Sequence, residues 1–327
     1  MRPVSLPEIP YSATAVRPDW DDLPAAVRDA VSRRLDAPIT SATSATSGFT
    51  TAFAGVLTTG SGRRVFVKAA PFGNTGYAYA REAHITALLP DGVPAARPLW
   101  TCEVDGYYVL ALAAIDGHIP ALPWRPAELA ATLAAWRSAA LALTDPPAAL
   151  LAAGLPRLPD LVRDELSWWS AGGVPPDLVP PWARSHHAEL AALEQGLPPL
   201  VAGGGVAHGD LRIDNVMIDT AGDAWLCDWT WPCLGAPWFD TVTLLVSAWA
   251  SGHDADAMLA DWSPPPEGVD GALAAMSGYW LTRAGGATGT AAPTARQHHR
   301  YSGVQALAWL AARRGWPTGF GGTGADW

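Results

Sequence analysis

Residues 206–219, VAHGDLRIDNVMID, space a histidine, an aspartate and an asparagine as H-x-D-x4-N, at His208, Asp210 and Asn215. Thirteen residues after Asn215, Asp228 closes the short apolar run AWLC. Each residue type has a use in phosphoryl transfer. A hydroxyl nucleophile must be oriented and relieved of its proton, which suits the Asp210 carboxylate as catalytic base. A nucleotide's β- and γ-oxygens need neutralising by Mg²⁺, a hard ion that takes oxygen ligands. Asn215 offers an amide oxygen and Asp228 a carboxylate. A hairpin between them would bring both to one side of a site. Two carboxylates with different partners can hold different roles, one ionised beside metal and one facing substrate. His208 reads as a core histidine that orients this loop by hydrogen bonding rather than as a reacting group.

A second candidate comes from composition. The chain has 20 arginines but one lysine, Lys68, and only two asparagines, Asn74 and Asn215. Arginine is a planar fork and lysine a compact point charge, so a lone surviving lysine points to chemistry that arginine cannot do.

These residues need elements to position them. Leu23, Val27, Val31 and Leu35 recur at helical spacing over 21–35. Three β-rich runs follow at 38–47, 52–59 and 64–70, punctuated by Gly48 and by Gly60 with Gly62, and they predict an antiparallel meander. A helix is expected over 76–89, ending at Pro90, then strands over 96–104 and 107–113 joined by the turn Asp105-Gly106. After Gly117 the sequence becomes Ala-, Leu- and Trp-rich. Helices are expected near 126–143, 159–170, 181–195, 237–250, 268–284 and 296–314, with a short β-like segment near 205–229. The expected architecture is α+β: a β-rich lobe over 1–112 that includes the 21–35 helix, a hinge at 113–117, and a helical lobe over 118–327.

With this order in place, HGDLRIDNVMID and LCDWTW resemble the catalytic and metal-binding segments of the aminoglycoside phosphotransferase and choline kinase family. The resemblance implies a two-lobed protein-kinase-like fold, with a small antiparallel sheet and one key helix in the first lobe and a larger, mostly helical second lobe. It implies that Lys68, in VFVKAAP on the third expected strand, holds the nucleotide phosphates and pairs with Glu82 in REAHITALL. By the same resemblance Ser47, Gly48, Phe49 and Thr50 form the phosphate-covering loop. Ala111–Ile115, through Ala111, Ala113 and Ile115, form the connector whose backbone receives adenine, and Asp240 in GAPWFDTV braces the catalytic loop. The chain departs from the family pattern in its single-glycine phosphate loop and in Arg212-Ile213, which replace a common His-Pro and alter contacts near the substrate. The metal motif is Asp-Trp-Thr instead of Asp-Phe-Gly, which argues against a protein substrate.

The bulk properties narrow the classes. A net charge of −10 argues against a nucleic-acid partner. No apolar run reaches the roughly 18 residues of a membrane span, and the amino terminus lacks an apolar signal core, so a cytoplasmic protein is expected. Three scattered cysteines suit neither a disulfide framework nor a zinc cluster. Up to Gly117 there are 11 acidic and 10 basic residues, and beyond it 20 and 11. An acidic second half suits a cationic substrate, though solubility explains it equally well. Trp231, Trp238 and Trp280 are candidates to line a substrate cleft, and the pairs His186-His187 and His298-His299 read as helix-surface histidines.

The expectation is an ATP- or GTP-dependent, Mg²⁺-requiring O-phosphotransferase on a small hydroxylated compound, an antibiotic being the first candidate, acting as monomer or homodimer. The alternatives are a metabolic kinase for choline, a sugar, homoserine or a nucleoside, and a nucleotide-binding protein without turnover.

Overall fold

The computed structural model describes residues 4–286 and 294–318. Helix α1 (Ala25–Leu35) follows a 3₁₀ turn at Trp20–Asp22, so the helix expected from 21 begins four residues later, after Pro24. Strands β1 (Ile39–Ser44), β2 (Phe53–Thr59) and β3 (Arg64–Pro71) form the expected meander. Helix α2 (Asn74–Leu88) comes next, then β4 (Pro98–Val104) and β5 (Tyr107–Ala113). Asp105 and Gly106 between them both adopt positive φ, the geometry a two-residue hairpin turn requires. The sheet order is β1-β2-β3-β5-β4, antiparallel throughout.

Side-chain alternation sets what each face of this sheet meets. Val65, Val67 and Ala69 of β3 turn toward α1, where Val27, Val31 and Leu35 complete a buried cluster with Phe53, Leu57 and Val109. The intervening residues, including Lys68, turn the other way, where Leu110 and Leu112 of β5 pack on Ala83 of α2. The sheet is therefore covered by one helix on each face, and its only lysine points into the covered side next to α2.

The segment 113–117 leads into β6 (Gly117–His118), which pairs with β8 (Val216–Asp219); β8 in turn forms a hairpin with β9 (Ala224–Leu226). A short pair joins β7 (Val206–Ala207) to β10 (Cys233–Leu234). Around these strands pack α3 (Pro126–Ala142), α4 (Ala148–Ala152), α5 (Leu158–Glu165), α6 (Pro181–Arg184), α7 (His187–Gly196), α8 (Trp238–Ala250), α9 (Ala255–Leu259), α10 (Pro266–Gly285) and α11 (Ala295–Arg314). The helix expected over 159–170 stops at Glu165, and the one expected over 181–195 is broken at Ser185 and His186. Trp136, Trp169 and Trp309 are fully buried in the large helical core, each with its indole N–H donating to a partner: Thr241 Oγ1, Ala274 O and Asp256 Oδ2. Burying those rings without unpaired donors is what allows so tryptophan-rich a core.

The amino-terminal residues do not stay with the sheet they precede. Ser5 N–H donates to Ala250 O, Tyr301 Oη donates to Ser5 O, and Tyr11 Oη lies 2.7 Å from His298 Nδ1.

Arg97, just before β4, donates to the carbonyls of Thr86, Leu89, Pro90 and Val93 at 2.7–3.3 Å. It thus satisfies the last turn of α2 and ties it to the sheet. Arg97→Met should lower the unfolding free energy by about 2–3 kcal/mol in urea denaturation, because several half-buried carbonyls lose a charged donor together.

Candidate active site

The sharp turn at Gly209 builds the central loop. Gly209 has φ +79°, and a Cβ there would lie 2.0 Å from Trp231 O, so only glycine fits this point for both torsional and steric reasons. Asp240, in the first turn of α8, receives the His208 N–H at 2.6 Å and the Gly209 N–H at 3.1 Å through its two carboxylate oxygens. His208 sits in the core between strand and hairpin. Its Nε2 lies 3.0 Å from Cys227 O, and the Asp210 N–H donates to Nδ1 at 3.3 Å. That pairing assigns the proton to Nε2, and burial pushes the ring down to about 4, so it is a neutral orienting group.

The β8–β9 hairpin brings the remaining acidic and amide groups together. Cys227 N–H donates to Asn215 O at 2.8 Å, which sets Asp228 beside Asn215. Asn215 Nδ2 donates to Asp210 O at 2.7 Å and to Asp210 Oδ2 at 3.2 Å, so its amide oxygen is the end that can meet a cation. Asp228 has φ +62°, a strained position for a non-glycine residue, which turns its carboxylate into the cleft. Thr230 Oγ1 donates to it. Burial alone would raise Asp228, but Lys68 and the Thr230 hydroxyl outweigh that and hold it below the ordinary carboxylate value.

From the opposite wall Lys68 Nζ donates to Glu82 Oε1 at 2.8 Å and Oε2 at 2.6 Å. Glu82 is 3% exposed. Burial opposes the ammonium charge, yet Glu82, Asp228 and Tyr79 overcome it and keep Lys68 above its usual value, hence charged.

Asp210 sits half-buried at the mouth of this arrangement. Arg212 Nη1 lies 3.1 Å from Asp210 Oδ1, and the same guanidinium grips Asp214 with Nε and Nη2 at 3.2 and 3.1 Å. Burial, with the charges of Asp214 and Asp228, pushes Asp210 up to about 7 against the pull of Arg212 and Asn215. Asp214 stands out in no motif of the sequence. The structure buries it as the partner that fixes Arg212, a role whose only linear signal is the i, i+2 spacing to an arginine.

A cleft of about 660 Å³ runs between the sheet and this loop, and Lys68, Glu82, Asp210, Asn215 and Asp228 all line it. Ser47, Gly48, Phe49 and Thr50 line its rim. Ala113 and Ile115 line its far end, together with Leu112 and Gly117. Ala113 N–H already donates to Arg97 O, leaving only its carbonyl for a ligand. Ala111 does not line the cleft: alternation in β5 turns it to the α1 face, where it is fully buried. Trp231 lines the cleft at 57% exposure, whereas Trp238 and Trp280 are core residues. His298, expected on a helix surface, is buried at 5% and stacks on Phe49. Cys227 lines the cleft next to Asp228.

The acidic residues of the helical half divide between the cleft, where Asp210, Asp214 and Asp228 lie, and ion pairs away from it. Asp256, Asp261, Asp270 and Glu189 are paired with Arg313, Arg137 and Arg314 elsewhere. Among the described residues, no group of three or more His, Cys, Asp or Glu side chains could hold a metal unaided. No helix among them is long and apolar enough to cross a membrane.

A sequence profile described as the phosphotransferase enzyme family matches residues 47–278. No curated protein matches by sequence. Several solved structures share the fold. The macrolide 2′-phosphotransferase MphH from Brachybacterium faecium is 17% identical over 88% of this chain and 95% of its own, with a TM-score of 0.56. Choline kinase LicA from Streptococcus pneumoniae is 14% identical over 86% and 98%, with a TM-score of 0.56. A thermostable mutant of aminoglycoside phosphotransferase APH(4)-Ia, in ternary complex with AMP-PNP and hygromycin B, is 13% identical over 91% and 100%, with a TM-score of 0.58.

Gly209→Ala should cost more than about 3 kcal/mol of stability, since the new methyl must displace backbone. Gly222→Ala is a matched control, with φ +90° and nothing within 4 Å. It should cost only about 1–2 kcal/mol, the torsional penalty alone. Chemical denaturation of both variants checks the difference.

Proposed function

The chain belongs to the phosphotransferase enzyme family, and on that premise we propose that it moves the γ-phosphate of ATP or GTP to a hydroxyl of a small natural product of the antibiotic type. It is a small-molecule phosphotransferase. The observation that carries the residue roles is the convergence of Lys68–Glu82, Asp228–Asn215 and Asp210 on one cleft from both lobes.

Lys68, kept charged and held straight by Glu82, reaches toward the phosphate path. Ser47–Thr50 cover it, and the purine lies against Leu112, Ala113 and Ile115, with the lobe boundary at 113–117. The donor set suits Mg²⁺: an ionised carboxylate at Asp228 and the free amide oxygen of Asn215 are hard oxygen ligands that would hold it. Mg²⁺ held there would neutralise charge on the β- and γ-phosphates. Asp210 accepts the proton of the acceptor hydroxyl as its oxygen bonds to the γ-phosphorus and the bond to the β-phosphate oxygen breaks, releasing the nucleoside diphosphate. Asp240 and His208 take no part in bonds made or broken; they fix the loop's backbone. Reliance on ATP or GTP fits a cytoplasmic enzyme.

For the acceptor, the structural neighbours include a hygromycin B complex, a macrolide phosphotransferase and a choline kinase. An exposed Trp231 beside the base favours a ring-bearing acceptor over a small linear one, since an indole face offers stacking area. In the cleft the carboxylates of Glu82, Asp210, Asp214 and Asp228 stand against Arg17, Lys68 and Arg212, a near balance that gives no special preference for a polycation.

Asp210→Asn should lower kcat by about 10²–10⁴-fold in an acceptor-dependent assay of nucleoside diphosphate release, with nucleotide affinity little changed. A protonated Asp210 cannot accept a proton, and burial raises it to about 7. Wild-type kcat/KM should therefore rise with pH through about 7 and level off above it; a profile flat from pH 5.5 to 8.5 would assign the base elsewhere. A host expressing the chain should gain resistance to at least one ring-bearing, hydroxylated antibiotic on a plate panel. Phosphorylation of choline or homoserine alone would instead assign it to metabolism.

A further inference from the structure

The rim loop over residues 45–52 is gripped from two sides by residues outside 47–278, the span matched by the family profile. On one side Arg17 donates through Nη2 to Ser47 O at 2.9 Å and through Nη1 to Thr50 Oγ1 at 3.1 Å and Ala52 O at 2.9 Å. Ala15 N–H donates to Thr46 O at 3.0 Å, and Thr14 Oγ1 to Gly48 O at 3.3 Å. A Cβ on Gly48, whose φ is +89°, would come within 2.8 Å of Arg17 Nη2, so the glycine makes room for the guanidinium. Arg17 itself lines the cleft.

On the other side Phe49 leaves the loop and enters the helical lobe. Its ring stacks on His298 of α11 at 4.7 Å and 30°, meets the edge of Tyr11 at 6.4 Å, and has the Arg212 guanidinium 5.6 Å from its centroid. The two grips are themselves joined, since Tyr11 Oη bonds His298 Nδ1 and Thr294 Oγ1 donates to Thr14 O.

A loop with one glycine cannot rely on free backbone amides arranging themselves around phosphate. Ordering a loose segment costs about 1–2 kcal/mol per residue, a cost removed from binding if the segment is already held. We propose that Arg17 and Phe49 are positioning residues for the nucleotide triphosphate. They hold the 45–52 loop closed over the phosphates in advance, and Arg17 adds a positive charge at the rim. This rests on the reading that the loop covers a nucleotide's phosphates.

The test is titration calorimetry with AMP-PNP, GMP-PNP and AMP, each with MgCl₂, on the wild type and on Arg17→Gln, Arg17→Lys, Phe49→Ala and Phe49→Tyr. Arg17→Gln and Phe49→Ala should raise the Kd for the preferred triphosphate at least about tenfold, while the Kd for the monophosphate changes less than about twofold. Arg17→Lys and Phe49→Tyr should recover part of the loss. If Arg17→Gln fails to fold, Arg17→Lys and Phe49→Ala carry the comparison, because they alter different elements. Unchanged triphosphate affinity, or an equal loss for monophosphate and triphosphate, overturns the inference alone and leaves phosphotransfer standing. A wild type that binds neither triphosphate overturns the phosphate-site reading and this inference with it.

Discussion

Four carboxylates, Asp210, Asp214, Asp228 and Asp240, lie in or around one short loop and hairpin, and burying so much like charge is the constraint that organises the molecule. Each can stay only because it is answered differently. Asp240 takes two backbone N–H groups, Asp214 a bidentate arginine, and Asp228 a lysine charge with a threonine hydroxyl. Asp210 has the least complete answer: one guanidinium nitrogen and one amide. Burial raises both Asp210 and Asp240 to about 7, but of the two only Asp210 lines the cleft.

That arrangement draws on both lobes. Lys68 belongs to the sheet, whereas the charge it steadies on Asp228 belongs to the hairpin of the helical lobe. Arg81 of α2 also reaches across, its Nε donating to Thr230 O at 2.9 Å. The lobes share apolar packing, since Ile85, Leu89, Val93 and Ala95 belong to the large helical core, and at the cleft itself they are joined through charged and polar contacts. Such contacts hold geometry without filling the space a ligand needs. Residues 11–17 and α11 add a third tie, bonded to each other beside the rim loop.

Much of this was legible in the chain. Alternation in VFVKAAP put Lys68 on a strand, and helical spacing in REAHITALL put Glu82 on the helix that follows. Ion-pairing is then the only inexpensive way to bury both. The catalytic-loop motif was legible because its turn needs Gly209 and its hairpin fixes Asn215 against Asp228 through local pairing. Ala111 was misplaced because the face of a residue in β5 depends on register against two neighbours, and a shift of one residue inverts it. His298 was misplaced because helical periodicity gives a face but not what covers that face, which here is Phe49, from far earlier in the chain. The break between α6 and α7 likewise has no clear signal in an Ala-rich stretch.

A lone lysine, a spaced Asp-Asn-Asp set and a two-part order of strands and helices were readable in the chain alone, because they rest on local periodicity and short loops. Which charges cancel became visible in the packed fold. It paired Asp256, Asp261, Asp270 and Glu189 with Arg313, Arg137 and Arg314, gave Asp214 to Arg212, and left Asp210 partly answered. It also drew Arg17 and His298 to the rim loop from opposite ends of the chain. Pairing of charges and stacking of rings depend on distances between residues far apart in sequence, and those distances exist only once both cores have packed.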